Sequence, residues 1–546
     1  MRLVERRIGL LFALFLVLLS FAGLRATWLG TVKASSLKQR AASQQVQEIA
    51  VPARRGTISD RHGVELAVSE DATTVFANPF LIKNPAPVAA KLAPLIGINR
   101  DELLRKISDR HTGFVYLKRK LDADRGQKIK ALKLEGIGTT DEPKRTYPQG
   151  DLASQLIGQV GTDNYGLSGI EQEQEKRLHG TDGKRKLVKD ALGQPVSLVE
   201  LKRAQQGQNM NLTIDAAIQE RVEAVLADVG RNFQPRGATA LVMDPRTGEI
   251  LALANWPRPA TGMSSEEAAY AAQDRAVGTS YEPGSTFKAF TVSGALEENL
   301  IKPTTEFNLP PTIRVADREI GEAHDRGAIT LTTAQILAQS SNVGAVTIGL
   351  RLGANKFDRY IRRFGFGQPT GADLPGEQRG ILLRPKNYSG SSMGNMPIGQ
   401  GLAVTPIQMA SAYTAIAENG VMHRPYVIQG DKRPGRRVIS AHTAQSVSRM
   451  LEGVIAQGGT AQEANIAGYK LAGKTGTAEK PDEFGGYSKT KFVASFIGFA
   501  PARDPRLLVA VMVDEPKGEI YGGLVAGPAF KRITSFALSY LKIPPG

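Results

Sequence analysis

The sequence predicts an α+β fold behind an N-terminal membrane helix, and three observations carry that expectation. Ile8 to Leu24 is apolar apart from Ser20 and two glycines. From about Val51 to Ala204 the chain is a mixed segment dense in turns. Beyond Gly207, five strand-like runs fall into two groups with helical stretches between them. That is the pattern of a five-stranded antiparallel sheet with helices on its faces.

Taken in order, the apolar run follows Arg2, Arg6 and Arg7 and reaches a bilayer-spanning length of about twenty residues if it continues to Leu29. Arg25 would then snorkel to the interface. Residues 1–7 are expected as a tail and 8–29 as a transmembrane anchor. A cleaved signal peptide is the rival, with Ser20-Phe21-Ala22 as its small-x-small site. Loop charge does not decide between them, because Arg25, Lys33, Lys38 and Arg40 lie on the far side. Residues 30–50 are polar and rich in Gln, Ser and Ala, and read as a juxtamembrane helix or linker. Residues 51–206 carry turn signals at Asn84-Pro85, Pro148-Gln149-Gly150 and Gly180 to Gly183. From residue 207 the pattern changes. Leu212 to Asp215 leads into a helix with Asp215 as N-cap. Ala240–Asp244 and Glu249–Ala254 form a hairpin across Pro245 to Gly248. Helices are predicted over Phe287–Leu300 and Thr332–Gln339, and a strand from Tyr469 through Lys474. Two further strands, Phe492–Ala500 and Arg506–Asp514, flank Pro501 to Pro505.

Three short motifs are threaded through this last region: Ser285-Thr286-Phe287-Lys288, Ser340-Ser341-Asn342 and Lys474-Thr475-Gly476. Together they describe a serine acyl-transfer site with lysine as proton acceptor. Ser-x-x-Lys also occurs at Ser35–Lys38, Ser488–Lys491 and Ser539–Lys542, whereas the other two motifs occur once each. Tyr281-Glu282-Pro283-Gly284 places Ser285 at a helix N-terminus, where orphan amides favour negative charge. Three residues on, Lys288 shares its face and can reach the hydroxyl. Free lysine, with a pKa of about 10.4, is a poor base at neutral pH. Desolvation or a neighbouring Lys474 cation would lower that value. Ser340 is a candidate proton relay to the leaving amine, and Asn342 a candidate holder of the substrate peptide bond. Lys474 and Thr475 can bind a terminal carboxylate. Gly476 admits a close backbone, as when a peptide lies along the strand edge. The N–H groups of Ser285 and Thr477 are the natural oxyanion donors.

With these motifs the chain resembles a class B penicillin-binding protein, a peptidoglycan D,D-transpeptidase, over nearly its full length. Arg55 to Gly63 resembles the signature opening the non-catalytic domain of that class. Arg145-Thr146-Tyr147-Pro148, Leu156-Ile157-Gly158 and Gly169-Ile170-Glu171 look like the same domain, and Gly399-Gln400-Gly401 like the transpeptidase domain. The resemblance implies an elongated, dimerisation-type pedestal over 51–206 and a penicillin-binding transpeptidase domain over 207–546. It implies acylation of Ser285 by the penultimate D-alanine of a stem peptide, loss of the last D-alanine, and transfer to a neighbouring amine. It implies inhibition by β-lactams. It also implies a single-pass bacterial membrane protein with an extracytoplasmic catalytic part, working with a polytopic glycan polymerase and other division proteins. The layout, without obvious long insertions, leans toward a septal rather than an elongation role.

Composition agrees. The 546 residues leave room for two or three domains. The absence of cysteine excludes disulfides, a thiolate nucleophile and zinc–cysteine sites. No cofactor or metal is expected, since none of the six histidines has metal-ligand spacing. The net charge of +16 suggests an anionic partner. Nucleic acid lacks its zinc-finger spacing and aromatic-interleaved patch, so lipid head groups and the pyrophosphate of nascent glycan fit better. A β-lactamase would need a deacylating glutamate, and Glu377, set among Pro and Gly, reads as loop structure. A D,D-carboxypeptidase shares the motifs. A β-lactam-binding receptor would need a cytoplasmic effector, and about seven residues precede the apolar run.

Overall fold

The computed structural model describes residues 2–33, 46–189, 195–482 and 485–545 and divides the chain into two compact units. One takes residues 1–55, 71–144 and 179–207; the other takes 56–70, 145–178 and 208–546.

The first unit begins with α1 (Arg2–Thr31). Its stretch Arg6–Thr31 is 26 residues long, with mean hydropathy 2.3 and no burial. At 1.5 Å per residue this is about 39 Å, more than the roughly 30 Å of a hydrocarbon core. Ser20, Thr27 and Thr31 return their hydroxyl hydrogens to carbonyls one turn back at 2.6–2.8 Å, which removes the cost of three polar groups in an apolar surround.

β1 (Val46–Val51) follows, where the sequence suggests a linker. β2 (Glu65–Ala77), from Asp71 onward, joins α2 (Pro85–Ile96), α3 (Arg100–Ser108) and β3 (Val115–Asp122) around a small core of Val75, Leu92, Ile96, Leu103 and Leu117. β4 (Gly183–Lys189) pairs antiparallel with β1 on one side and β5 (Pro195–Lys202) on the other. The helix or linker expected at 30–50 is corrected at its far end: 46–50 is strand, because β4 offers an unpaired edge that β1 completes, while α1 runs to Thr31 at the near end. Residues 34–45 lie outside the described residues, and with them Ser35 and Lys38.

The second unit is built on the predicted sheet. α4 (Ala216–Phe233) starts at Asp215, whose carboxylate accepts from Ala217 and Ile218 N–H at 3.1 and 3.2 Å. The predicted hairpin is β6 (Gly237–Met243) and β7 (Ile250–Trp256). The predicted helix at Phe287 is a 3₁₀ turn, Gly284–Phe287, running into α5 (Lys288–Glu297). A small hairpin, β8 (Thr312–Val315) and β9 (Arg318–Gly321), precedes α6 (Thr333–Ala338) and α7 (Asn342–Leu352). After α8 (Pro406–Ala417) come β10 (Ala472–Pro481), β11 (Tyr487–Ala500), β12 (Leu507–Asp514) and α9 (Gly522–Tyr540). The five long strands lie in the order β7-β6-β12-β11-β10, all antiparallel. β10 begins at Ala472 rather than Tyr469, because the Tyr469 N–H still closes a turn onto Ile466 O at 3.1 Å. α9 lays Phe530 on Phe496 of β11, with ring centroids 4.6 Å apart.

Two segments from far upstream fold with this sheet. Arg145 and Glu171 form a buried ion pair at 2.6 Å, and Arg145 Nη1 donates to Gly56 O at 2.8 Å. Asp60 accepts from Ala216 N–H at 3.1 Å and so adds a second carboxylate to the N-terminus of α4. His62 Nε2 stands 3.1 Å from Asp215 Oδ2. All four upstream signatures, apart from Arg55, therefore belong to the unit that carries the sheet.

Candidate active site

Ser285 owes its position to the turn before it. Gly284 has φ +54°, and a Cβ there would stand 3.0 Å from the Ala478 Cβ on β10, so a side chain would be both strained and crowded. Thr286 Oγ1 donates to Pro283 O at 2.7 Å, and the buried Tyr413 hydroxyl on α8 donates to Thr286 O at 2.7 Å. Beneath the turn, Phe290 packs against Phe287, Phe364, Phe366 and Tyr413 with centroids 4.8–5.3 Å apart. The nucleophile turn is held from both sides. Ser285 opens onto a cavity of about 780 Å³ that Ser340, Asn342, Thr475 and Thr477 also line.

Lys288 and Lys474 are both fully buried. Lys288 Nζ donates to Ser340 O at 2.5 Å, Asn342 Oδ1 at 2.6 Å and Ser340 Oγ at 3.3 Å. Those three acceptors match the three hydrogens of an ammonium. Losing one proton frees a lone pair on Nζ. Burial brings Lys288 down to about 7, against an upward pull from the Glu322 carboxylate. Lys474 Nζ donates to the same Ser340 Oγ at 2.9 Å and to Thr475 O at 3.1 Å. Burial, then the Lys288 charge, pushes Lys474 well below the usual lysine range. Of the two causes the sequence suggested for the Lys288 shift, desolvation is the one that lowers it, and the charge between the lysines lowers Lys474.

Ser340 is the shared member. It has φ +61°, a conformation that costs a non-glycine residue about 1–2 kcal/mol. Its carbonyl and hydroxyl are both taken by the two lysines, which offsets that strain. β10 is an edge strand of the sheet, with Thr475 and Thr477 facing the cavity at alternate positions. Thr475 Oγ1 lies 2.7 Å from Thr460 Oγ1, and Thr477 Oγ1 accepts from Gly522 N–H, the first residue of α9, at 3.0 Å. A Cβ at Gly476 would overlap Ser495 Oγ and stand 3.0 Å from Pro283 O. The backbone that needs this space is the chain's own nucleophile turn.

The structure brings Lys288, Ser340, Asn342, Lys474 and Thr475 into one hydrogen-bonded group; Ser285 and Thr477 line the same cavity, and Gly476 lies between Thr475 and Thr477 on β10. The other serines do not join. Ser488 lies on β11, where its hydroxyl accepts from Thr490 and Lys491 N–H, and Ser539 lies in the last turn of α9. Glu377 accepts from Thr370 N–H, Thr370 Oγ1 and Gly371 N–H at 2.5–2.8 Å, tying up its own loop. Sequence reasoning missed Tyr413 and Glu322. Glu322 follows β9 and accepts from Ser341 Oγ and Asn342 N–H, both at 2.6 Å. Nothing in its sequence surroundings marks either.

The penicillin-binding protein transpeptidase domain family matches residues 238–535, and the penicillin-binding protein dimerisation domain family matches residues 50–212. The chain is 32% identical to the peptidoglycan D,D-transpeptidase FtsI of Escherichia coli K12 over 550 residues, covering 99% of this chain and 93% of that one. It is 35% identical to stage V sporulation protein D of Bacillus subtilis, covering 90% and 79%. A crystal structure of penicillin-binding protein 3 of Mycobacterium tuberculosis with aztreonam superposes with a TM-score of 0.70 at 28% identity, covering 91% and 98%. With both domains matched and relatives aligned end to end, the chain belongs to the class B penicillin-binding proteins.

Proposed function

We propose that the protein is a single-pass, membrane-anchored peptidoglycan D,D-transpeptidase that cross-links stem peptides through an acyl-enzyme on Ser285. One observation carries this reading: the Ser340 hydroxyl lies within hydrogen-bond reach of both Lys288 and Lys474 and so joins the three motifs into one proton path. Neutral Lys288 takes the Ser285 proton as Oγ attacks the carbonyl of the penultimate D-alanine. The oxyanion is met by the Ser285 and Thr477 N–H groups. The proton moves through Ser340 and Lys474 to the leaving D-alanine nitrogen as the C–N bond breaks. An amine from a second strand then attacks the ester, and Ser285 recovers its proton. Thr475 and Lys474 hold the terminal carboxylate, and Asn342 the peptide bond. A β-lactam enters by the same first step.

A fluorescent penicillin should label the full chain stoichiometrically, with the label on the peptide holding Ser285. Ser285→Ala should abolish labelling in a folded protein, since losing one hydroxyl at a helix start costs at most about 1 kcal/mol. Labelling of that variant at Ser488 or Ser539 would sink the assignment. Relatives named FtsI support a septal role; the partners proposed for it are a polytopic glycan polymerase and other division proteins. A fluorescent fusion should gather at midcell; patches along the lateral wall would favour an elongation role.

A further inference from the structure

We propose that Glu322 is a positioning residue for acylation: a carboxylate delivered by the β8–β9 hairpin that caps α7 and fixes how Ser340 and Asn342 receive Lys288. The proposal rests on the acyl-transfer reading above. Glu322 directly follows β9, and its side chain is 8% exposed. One oxygen accepts from Ser341 Oγ at 2.6 Å and Val343 N–H at 3.3 Å; the other accepts from Asn342 N–H at 2.6 Å. These amides are orphan donors of α7, at the end of the helix where negative charge is favoured. Ser341 passes the contact inward, since its hydroxyl also accepts from Gly344 N–H at 3.0 Å.

The residue just before Glu322 completes the clamp. Gly321 O accepts from Asn342 Nδ2 at 3.0 Å, which fixes the amide so that Oδ1 faces Lys288 Nζ at 2.6 Å. A hairpin with no catalytic motif of its own thus sets both the backbone and the side-chain orientation of the second motif.

The charges around this clamp make the role testable. Glu322 is paired on its outer side with Arg326. Burial opposes its charge, yet the Ser341, Asn342, Arg326 and Lys288 contacts hold it below the usual carboxylate range. Lys288 is influenced by Glu322 and lies beside Lys474, with which it shares Ser340. Glu322 is therefore an anion held close to the general base. Removing its charge lets Lys288 give up its proton at lower pH.

The test is the pH profile of Ser285 acylation by a fluorescent penicillin, with wild-type, Glu322→Gln and Glu322→Asp full chains. Glu322→Gln should acylate at least about 10-fold more slowly at its plateau. Its acid limb should move to lower pH by about half a unit or more, while reversible penicillin binding before acylation changes little. Glu322→Asp keeps the charge, so its limb should stay near wild type even with a reduced plateau. A melting temperature for each variant separates a folded, slow enzyme from loss of fold; if Glu322→Gln does not fold, the limb of Glu322→Asp decides. An unchanged plateau, or a reduced one with the Gln limb unmoved, overturns the proposal, as does a shifted Asp limb. Failure of wild type to label at Ser285 would instead bring down the acyl-transfer reading, and this proposal with it.

Discussion

Lys288 must lose a proton before it can accept the one from Ser285, and burial brings its pKa to about 7. The acylation rate should therefore rise with pH through a limb centred near 7, because only the neutral amine acts as base. Stopped-flow labelling between pH 5.5 and 8.5 would show it; a flat profile would mean that another group takes the proton. Lys288→Ala should slow acylation by at least about 10²-fold, the usual contribution of a general base. Gly476→Ala makes a geometric prediction. The added Cβ overlaps Ser495 Oγ and crowds Pro283 O, so β10 must move away from the nucleophile turn. Labelling should slow at least about 10-fold while far-UV circular dichroism stays the same; a wild-type rate would show that the strand and turn have slack.

Local spacing made part of the site legible. The Pro-Gly pair before Ser285 marks the turn that opens α5, so the position of Ser285 just ahead of that helix can be read from four residues. The hairpin β6–β7 and the cap at Asp215 were legible for the same reason. Glu322 was not, because the amide it holds at Asn342 lies 20 residues further on and no periodicity links the two. Tyr413 reaches Thr286 across 127 residues. The strand at Val46–Val51 was hidden for another reason: its partner β4 lies far along the chain, and Gln47 and Glu48 dilute its apolar character. Among such long-range links, Arg145–Glu171 is the one with the largest expected stability effect. Glu171→Ala leaves a buried guanidinium short of its charge partner and should cost about 3–5 kcal/mol. Denaturant titration followed by the loss of penicillin labelling would measure it, and a change below about 1 kcal/mol would show that the other partners of Arg145, Gly56 O among them, suffice.

At the scale of the whole molecule, α1 is long and apolar enough to cross a membrane by length and composition. If residues 8–29 remain as an anchor, the mature chain should begin at or near Met1 and stay with membranes through an alkaline carbonate wash. A mature N-terminus at Gly23 would replace the anchor with a cleaved leader. The order of folded units along the chain has a separate consequence. Residues 56–70 and 145–178 are encoded among the residues of one unit but fold with the other, and Asp60 reaches the start of α4 across 156 positions. A mosaic gene that joins two relatives at residue 207 would thus inherit Asp60 and His62 from one parent and the N-terminus of α4 that they contact from the other. Exchanges that keep 56–546 together preserve every such pairing, so tolerated crossovers should cluster outside that span or inside stretches where the parents agree.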